Sequence, residues 1–272
     1  MCRFVVYRGP EVALRSVVFG GSHSLVEQAY DPRELLVGHT NADGYGVVWY
    51  RGGNPVRIAR REPIWYDPDL ERLLDTIRSG TVVASLRNAT PGMSIGAGGL
   101  APLLVDEWCF ALNGYVTGFH DGIKRTIHES LSDPVYRHLR DGSDTEALFL
   151  LALQAMRDGA DPAGALTHVV RLVRELVAER ARATEAERAG IAQLNMILSD
   201  AETTAVSRAS SVEATNSLYR ASYRHSDSGL LPGGVVVASE ALDGDEAWER
   251  IEPQTVLAIR ADGSEKTISV PL

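Results

Sequence analysis

Short β-branched, strand-like runs at the start of the chain give way to apolar residues at helical spacing through its middle and return at its end. Cys2 to Tyr7 reads as a strand, with β-branched Val5 and Val6 and a Gly9-Pro10 turn; Ala13 to Phe19 reads as its hairpin partner. Ser22 or Ser24 caps a short helix over Ser24 to Ala29. Gly46 to Arg51 and Val56 to Arg60 form a second hairpin across Gly52-Gly53-Asn54, and Leu70 to Arg78 has the spacing of a helix. Strands follow at Thr81 to Leu86 and Glu107 to Leu112. The middle is helical: one segment from Asp144 has Leu148, Leu151, Ala152 and Ala155 on one face, and another from Pro162 has Leu166, Val169, Val170, Val173 and Val177. Leu194 to Leu198, Thr204 to Arg208, Gly234 to Ser239 and Val256 to Arg260 return to strands, and Asp262-Gly263 signals a last hairpin. Strands, then helices, then strands predict an α+β fold with helices layered on antiparallel sheets. No internal repeat or long linker divides the chain, so residues 1–272 are expected to form one domain.

At 272 residues and 44% hydrophobic, the chain can bury a full core. Its net charge of -9 argues against nucleic acid or an anionic membrane as the main partner, since both reward a basic surface. No apolar run approaches the ~20 residues of a membrane helix. Arg3, Arg8, Glu11 and Arg15 break up the start, unlike a secretory signal, so a cytoplasmic location is expected. Cys2 and Cys109 are then expected as reduced thiols.

Cys2 follows the initiator methionine. With Met1 removed, its thiol and a free α-amine share one residue, so one residue can supply both nucleophile and base. The amine titrates near pH ~8 and can take the thiol proton and later return it to a leaving group. The plain alternative is a small apolar residue on a first strand.

Four further segments offer chemistry, each with a structural reading beside it. In Ser85-Leu86-Arg87-Asn88-Ala89-Thr90-Pro91-Gly92 a strand runs into a turn, and Arg87 can present its planar fork to a carboxylate or simply make a surface ion pair. In Phe110-Ala111-Leu112-Asn113-Gly114-Tyr115, Asn-Gly reads in isolation as a type I′ hairpin turn; it also fits an oxyanion hole built from the Asn113 amide and the Gly114 N–H. Ser143-Asp144-Thr145-Glu146 has capping-box spacing, with Asp144 available to hold an ammonium group. Asn41-Ala42-Asp43-Gly44-Tyr45-Gly46 reads as structural support, having too few acids for a calcium loop. The seven histidines, His23, His39, His120 and His225 among them, show no zinc-ligand spacing, and Gly92 to Gly99 lacks a P-loop lysine.

Taken in order, Cys2, Arg87-x-Ala89-Thr90, Asn113-Gly114 and Ser143-Asp144-Thr145-Glu146 resemble the pattern of class II glutamine amidotransferases, which are N-terminal-nucleophile hydrolases. Met1-Cys2-Arg3, His23-Ser24-Leu25, Asn41 to Tyr50 and Val237-Ala238-Ser239-Glu240 resemble one subgroup of that family. It contains the ergothioneine-pathway amidohydrolase that removes glutamate from γ-glutamyl-hercynylcysteine sulfoxide.

The resemblance implies an αββα sandwich of two antiparallel sheets between helical layers. It implies Cys2 as nucleophile, Asn113 and Gly114 as oxyanion donors, Arg87 and Thr90 binding the glutamyl carboxylate end, and Asp144 binding the α-ammonium. It implies a small γ-glutamyl substrate and no cofactor or metal. A free-standing hydrolase and a glutaminase subunit feeding ammonia to a separate synthetase both fit, and a homo-oligomer is compatible with either. The non-enzyme alternative is a degenerate binding protein that keeps Met1. Two departures bear on the substrate: Leu112 stands where many members have histidine before Asn-Gly, and Phe4 where the subgroup often has histidine. Positions 2 and 4 of a strand share a face, so Phe4 is expected to border the site.

Overall fold

The computed structural model describes residues 1–36, 38, 40–88, 99–184, 190–223 and 230–272. In chain order its strands are β1 (Arg3–Ala13), β2 (Tyr45–Arg51), β3 (Asn54–Arg60), β4 (Arg78–Leu86), β5 (Leu103–Val105), β6 (Trp108–Val116) and β7 (Ala192–Ser199). They continue as β8 (Thr203–Arg208), β9 (Tyr219–Ser222), β10 (Val235–Ala238), β11 (Trp248–Arg250), β12 (Thr255–Arg260) and β13 (Glu265–Ser269). The α-helices are α1 (Leu14–Val18), α2 (Leu25–Tyr30), α3 (Leu70–Thr76), α4 (Lys124–Glu129), α5 (Asp133–Tyr136), α6 (Asp144–Arg157) and α7 (Pro162–Thr184).

Among the described residues the strands form two antiparallel sheets, ordered β11-β9-β10-β1-β4-β2-β3 and β13-β12-β8-β7-β6-β5. Side-chain alternation divides the core into three layers. On β1, Val5 and Tyr7 face α1, α2 and α3, packing with Leu14, Val17, Leu25 and Leu70. Phe4 and Val6 face the other sheet, against Cys109, Ala111, Ile197 and Val206. On β6, Phe110 and Leu112 face away from that interior and pack with Leu148, Leu151, Val169 and Val173 of α6 and α7. Helices, sheet, sheet, helices is the expected αββα sandwich. β1 lies at the centre of its sheet, between β4 and β10, so the chain's first strand is clamped on both edges.

The capped helix after Ser24 forms as α2, with the full capping box: Ser24 Oγ accepts from Glu27 N–H, and Glu27 accepts from Ser24 N–H. At Ser143 only half of the box forms. Ser143 Oγ accepts from Glu146 N–H at 3.1 Å, but the Glu146 carboxylate instead gathers the N–H groups of Arg140, Asp141 and Gly142.

Two expectations fail. The segment after Gly9-Pro10 is no hairpin partner, because β1 continues through Pro10 to Ala13 and Leu14–Val18 is helical. Leu14, Val17 and Val18 have i, i+3, i+4 spacing and all are buried, which outweighs the β-branched content of so short a run. The hairpin reading of Asn113-Gly114 also fails. Both residues lie within β6, opposite Asn195 and Leu194 of β7.

Candidate active site

Cys2 stands one residue before β1, half-buried, with its Sγ 4.0 Å from the Asn88 carbonyl oxygen. Burial pushes the thiol pKa up, and the Asn88 contact, the neighbouring terminal amine and Arg87 partly oppose this. The terminal amine, here on Met1, is held below its ordinary value by burial. Cys2, Arg87, Asn88, Gly99, Gly114 and Asp144 line one cavity of about 40 Å³. Four of the residues singled out in the sequence, Cys2 just before β1, Arg87 just after β4, Gly114 in β6 and Asp144 in α6, therefore meet at one end of the sandwich. A larger cleft of about 280 Å³ lies between Arg220, Arg250 and Glu265, but both arginines are already paired with carboxylates and no cysteine lines it.

Arg87 follows the last residue of β4. Its backbone N–H donates to the Gly44 carbonyl at 2.8 Å, and its carbonyl accepts from Asp43 N–H at 3.1 Å. Asn41–Gly44 therefore extends the sheet alongside Arg87, the supporting role expected of it. Gly44 has φ +119°, and a Cβ there would lie 2.6 Å from the Arg60 carbonyl oxygen, so glycine is required on both counts.

Among the described residues β5 pairs with β6 only from Trp108 to Phe110, and no other strand pairs along that edge. Thr117 N–H donates to Ile191 on the β7 side, whereas the Asp144 carboxylate accepts from Val116 N–H on the opposite side. Backbone direction alternates along a strand. Gly114 N–H thus points with Val116 N–H, towards that edge and the cavity. A Cβ on Gly114 would lie 1.8 Å from the Gln193 carbonyl oxygen, so only glycine lets β6 and β7 approach this closely.

The Asn113 side chain is fully buried and projects, like Ala111 and Cys109, into the space between the sheets. Its Nδ2 lies 3.4 Å from Ser239 Oγ, and its Oδ1 has no hydrogen-bond partner among the described residues. Asp144 is the first residue of α6 and is buried. Burial raises its pKa, against the N–H groups of Thr145 (2.7 Å) and Val116 and the charge of His120.

Thr90, His39 and His225 lie outside the described residues, as does nearly all of Gly92–Gly99. Phe4 does not border the cavity: it is fully buried in the layer between the sheets, where the hydrophobic effect favours an aromatic ring. Leu112, by contrast, is one of the cavity's lining residues. Among the described residues no group of three or more His, Cys, Asp or Glu could hold a metal ion. No helix among them is long and apolar enough to cross a membrane.

The sequence marked Arg3, His23, Ser239 and Glu240 only as parts of motifs, and gave no sign that they hold the Cys2 strand in place. Ser239 and Phe4 exchange backbone and side-chain bonds: Ser239 N–H donates to the Phe4 carbonyl, and Phe4 N–H donates to Ser239 Oγ, both at 3.0 Å. The next residue, Glu240, takes Arg3 Nη2 at 2.6 Å and Glu34 N–H at 3.0 Å on one oxygen. Its other oxygen takes His23 Nε2 at 2.7 Å and Arg33 N–H at 2.9 Å. Burial works to raise the Glu240 pKa, but the His23 bond, the Arg3 guanidinium and the two backbone N–H groups prevail and hold it at about 2. The available signal was an acid two residues after the unbroken apolar run Val235–Ala238, at the end of a buried strand, where a carboxylate must be paired.

A family model described as class-II glutamine amidotransferases matches residues 24–271. The γ-glutamyl-hercynylcysteine sulfoxide hydrolase of Mycobacterium tuberculosis is 35% identical over 116 residues, covering 43% of this chain and 50% of that protein. The protein of the same name from Mycolicibacterium smegmatis is 33% identical over 117 residues, covering 43% and 52%. The chain thus spans about half the length of the curated relatives it matches. A glutamine aminotransferase class-II domain protein from Silicibacter pomeroyi superposes over the whole of both chains, with a TM-score of 0.69 and 25% identity. The glutamine phosphoribosylpyrophosphate amidotransferase of B. subtilis shares the fold over all of this chain and 50% of that one, with a TM-score of 0.64 and 17% identity.

Proposed function

The chain belongs to the class II glutamine amidotransferases, and on that premise we propose that it hydrolyses a γ-glutamyl amide through Cys2, releasing glutamate. The observation behind this reading is the meeting of Cys2, Arg87, Gly114 and Asp144 around one cavity. Removal of Met1 gives Cys2 a free α-amine. Burial lowers the pKa of the terminal amine on Met1, and an amine on Cys2 that is buried in the same way favours the neutral form that a base must be. The amine takes the thiol proton, and the thiolate attacks the γ-carbonyl carbon. Gly114 N–H and Asn113 Nδ2 stabilise the oxyanion, donors that typically contribute ~3 kcal/mol each. Collapse breaks the C–N bond as the ammonium returns its proton to the leaving nitrogen. Water then hydrolyses the thioester to glutamate and free Cys2. Arg87 binds the glutamyl α-carboxylate and Asp144 the α-ammonium, one fixed cation and one fixed anion for a zwitterionic head. Thr90 is assigned beside Arg87 on the family resemblance.

The substrate we propose is γ-glutamyl-hercynylcysteine sulfoxide, the compound in the names of the curated relatives, acted on in the cytoplasm. The test compares glutamate release from that sulfoxide and from glutamine by mass-verified enzyme lacking Met1 and by Cys2→Ala. Fast, Cys2-dependent cleavage of the sulfoxide with little of glutamine is expected. Preference for glutamine would replace the substrate reading by an ammonia-supplying one, and cleavage that survives Cys2→Ala would remove the nucleophile.

A further inference from the structure

Ser239 Oγ stands between the nucleophile strand and the Asn113 amide. Phe4 N–H already donates to it at 3.0 Å, and Asn113 Nδ2 lies 3.4 Å away. If both nitrogens donate, the hydroxyl proton has no acceptor among the described residues, while Asn113 Oδ1 remains buried with no donor. An amide turned by 180° about Cβ–Cγ keeps its heavy-atom positions and exchanges its two ends. Phe4 N–H then donates to Ser239 Oγ, Ser239 O–H donates to Asn113 Oδ1, and each of these groups has its complement. The present orientation leaves a buried acceptor unmet inside the protein, whereas the turned one leaves a donor there for an incoming oxygen to meet. The turned amide places its two Nδ2 hydrogens where Oδ1 now lies, buried and awaiting an acceptor.

We propose that Ser239 is a positioning residue: its hydroxyl fixes the Asn113 amide so that Nδ2, and not Oδ1, meets the oxygen of the reacting carbonyl. The inference rests on the γ-glutamyl hydrolase reading and adds to it a residue that touches no substrate. It also makes orientation of the oxyanion donor depend on Phe4, two residues from the nucleophile. A donor is thereby aimed only when β1 is seated against β10.

The experiment uses hydrolysis of L-γ-glutamyl-p-nitroanilide by mature wild type, Ser239→Ala, Ser239→Thr, Asn113→Ala and the double variant. Alkylation of Cys2 by iodoacetamide reports whether the strand itself has moved. Ser239→Ala is expected to lower kcat roughly tenfold or more with KM and alkylation near wild type. Ser239→Thr keeps the hydroxyl and restores kcat, and the double variant is no slower than Asn113→Ala, since the serine acts through the amide. A wild-type kcat in Ser239→Ala, losses that multiply in the double variant, or alkylation that falls with kcat would each overturn the proposal. In parallel, the Asn113 side-chain carbonyl ¹³C resonance is compared in wild type and Ser239→Ala. Loss of a hydroxyl bond to Oδ1 shifts it upfield, and an unmoved resonance refutes the orientation. Should wild type cleave neither the anilide nor any other γ-glutamyl amide, the hydrolase reading falls, and this resonance alone decides how the amide lies.

Discussion

Glu240→Gln isolates the buried charge that holds the Cys2 strand. The wild-type carboxylate accepts four bonds of 2.6–3.0 Å, two on each oxygen. Glutamine keeps one acceptor oxygen and turns an NH₂ towards the two donors on the other side. Arg3, fully buried, loses its counter-charge. A carboxyl held at about 2 against an ordinary 4.5 corresponds to roughly 3 kcal/mol of native-state stabilisation. Removing one member of a buried ion pair typically costs about 3–5 kcal/mol. Both routes predict a loss near 3–4 kcal/mol in urea unfolding at neutral pH.

The pH dependence checks the cause. Between 4.5 and about 2 the unfolded carboxyl binds a proton that the folded one does not, so the contribution is complete above 4.5 and fades as pH falls to about 2. Wild type should lose this increment across that window, and Glu240→Gln should lack it. Parallel pH curves for the two proteins, or a loss under about 1 kcal/mol as for a surface pair, would refute the reasoning.

Gly114→Ala must separate β6 from β7 at a contact of 1.8 Å to the backbone, so its urea midpoint should fall by the equivalent of about 1–3 kcal/mol, with turnover lost as the Gly114 N–H shifts. Gly244→Ala, with nothing within 4 Å and no positive φ, should stay within about 0.5 kcal/mol of wild type. Asp144 must be ionised to hold an ammonium, and burial raises its pKa in the free enzyme. kcat/KM should therefore fall about tenfold per pH unit below that raised value, with the limb lying above the ordinary aspartate range. Asp144→Asn should remove the limb along with most of the affinity, and an unchanged acid limb would free Asp144 of this role.

The sequence made parts of this site legible because each is local. A strand followed by a turn places Arg87, a capping signal places Asp144 at a helix start, and the helical faces of α6 and α7 follow from spacing alone. The Asn113-Gly114 pair shows the limit. Its turn chemistry is a local preference, whereas its place inside β6 is set by pairing with β7, some 80 residues later. The short strands β5, β9 and β11 were invisible for the same reason, being defined by their partners and not by three or four residues of pattern.

The residues that support Cys2 stood in the quoted motifs, but their supporting role was the least legible feature, and the physics says why. A buried polar group is specified by whatever satisfies it, and for Arg3 and Phe4 those partners lie 237 and 235 residues away. In return, consecutive residues Ser239 and Glu240 grip consecutive residues Phe4 and Arg3 from one end of β10. A nucleophile that must become a chain terminus loses covalent restraint on one side. Under the proposed mechanism, holding the two residues after it by a buried ion pair and a serine bridge restores the fixed geometry that attack on a carbonyl carbon requires.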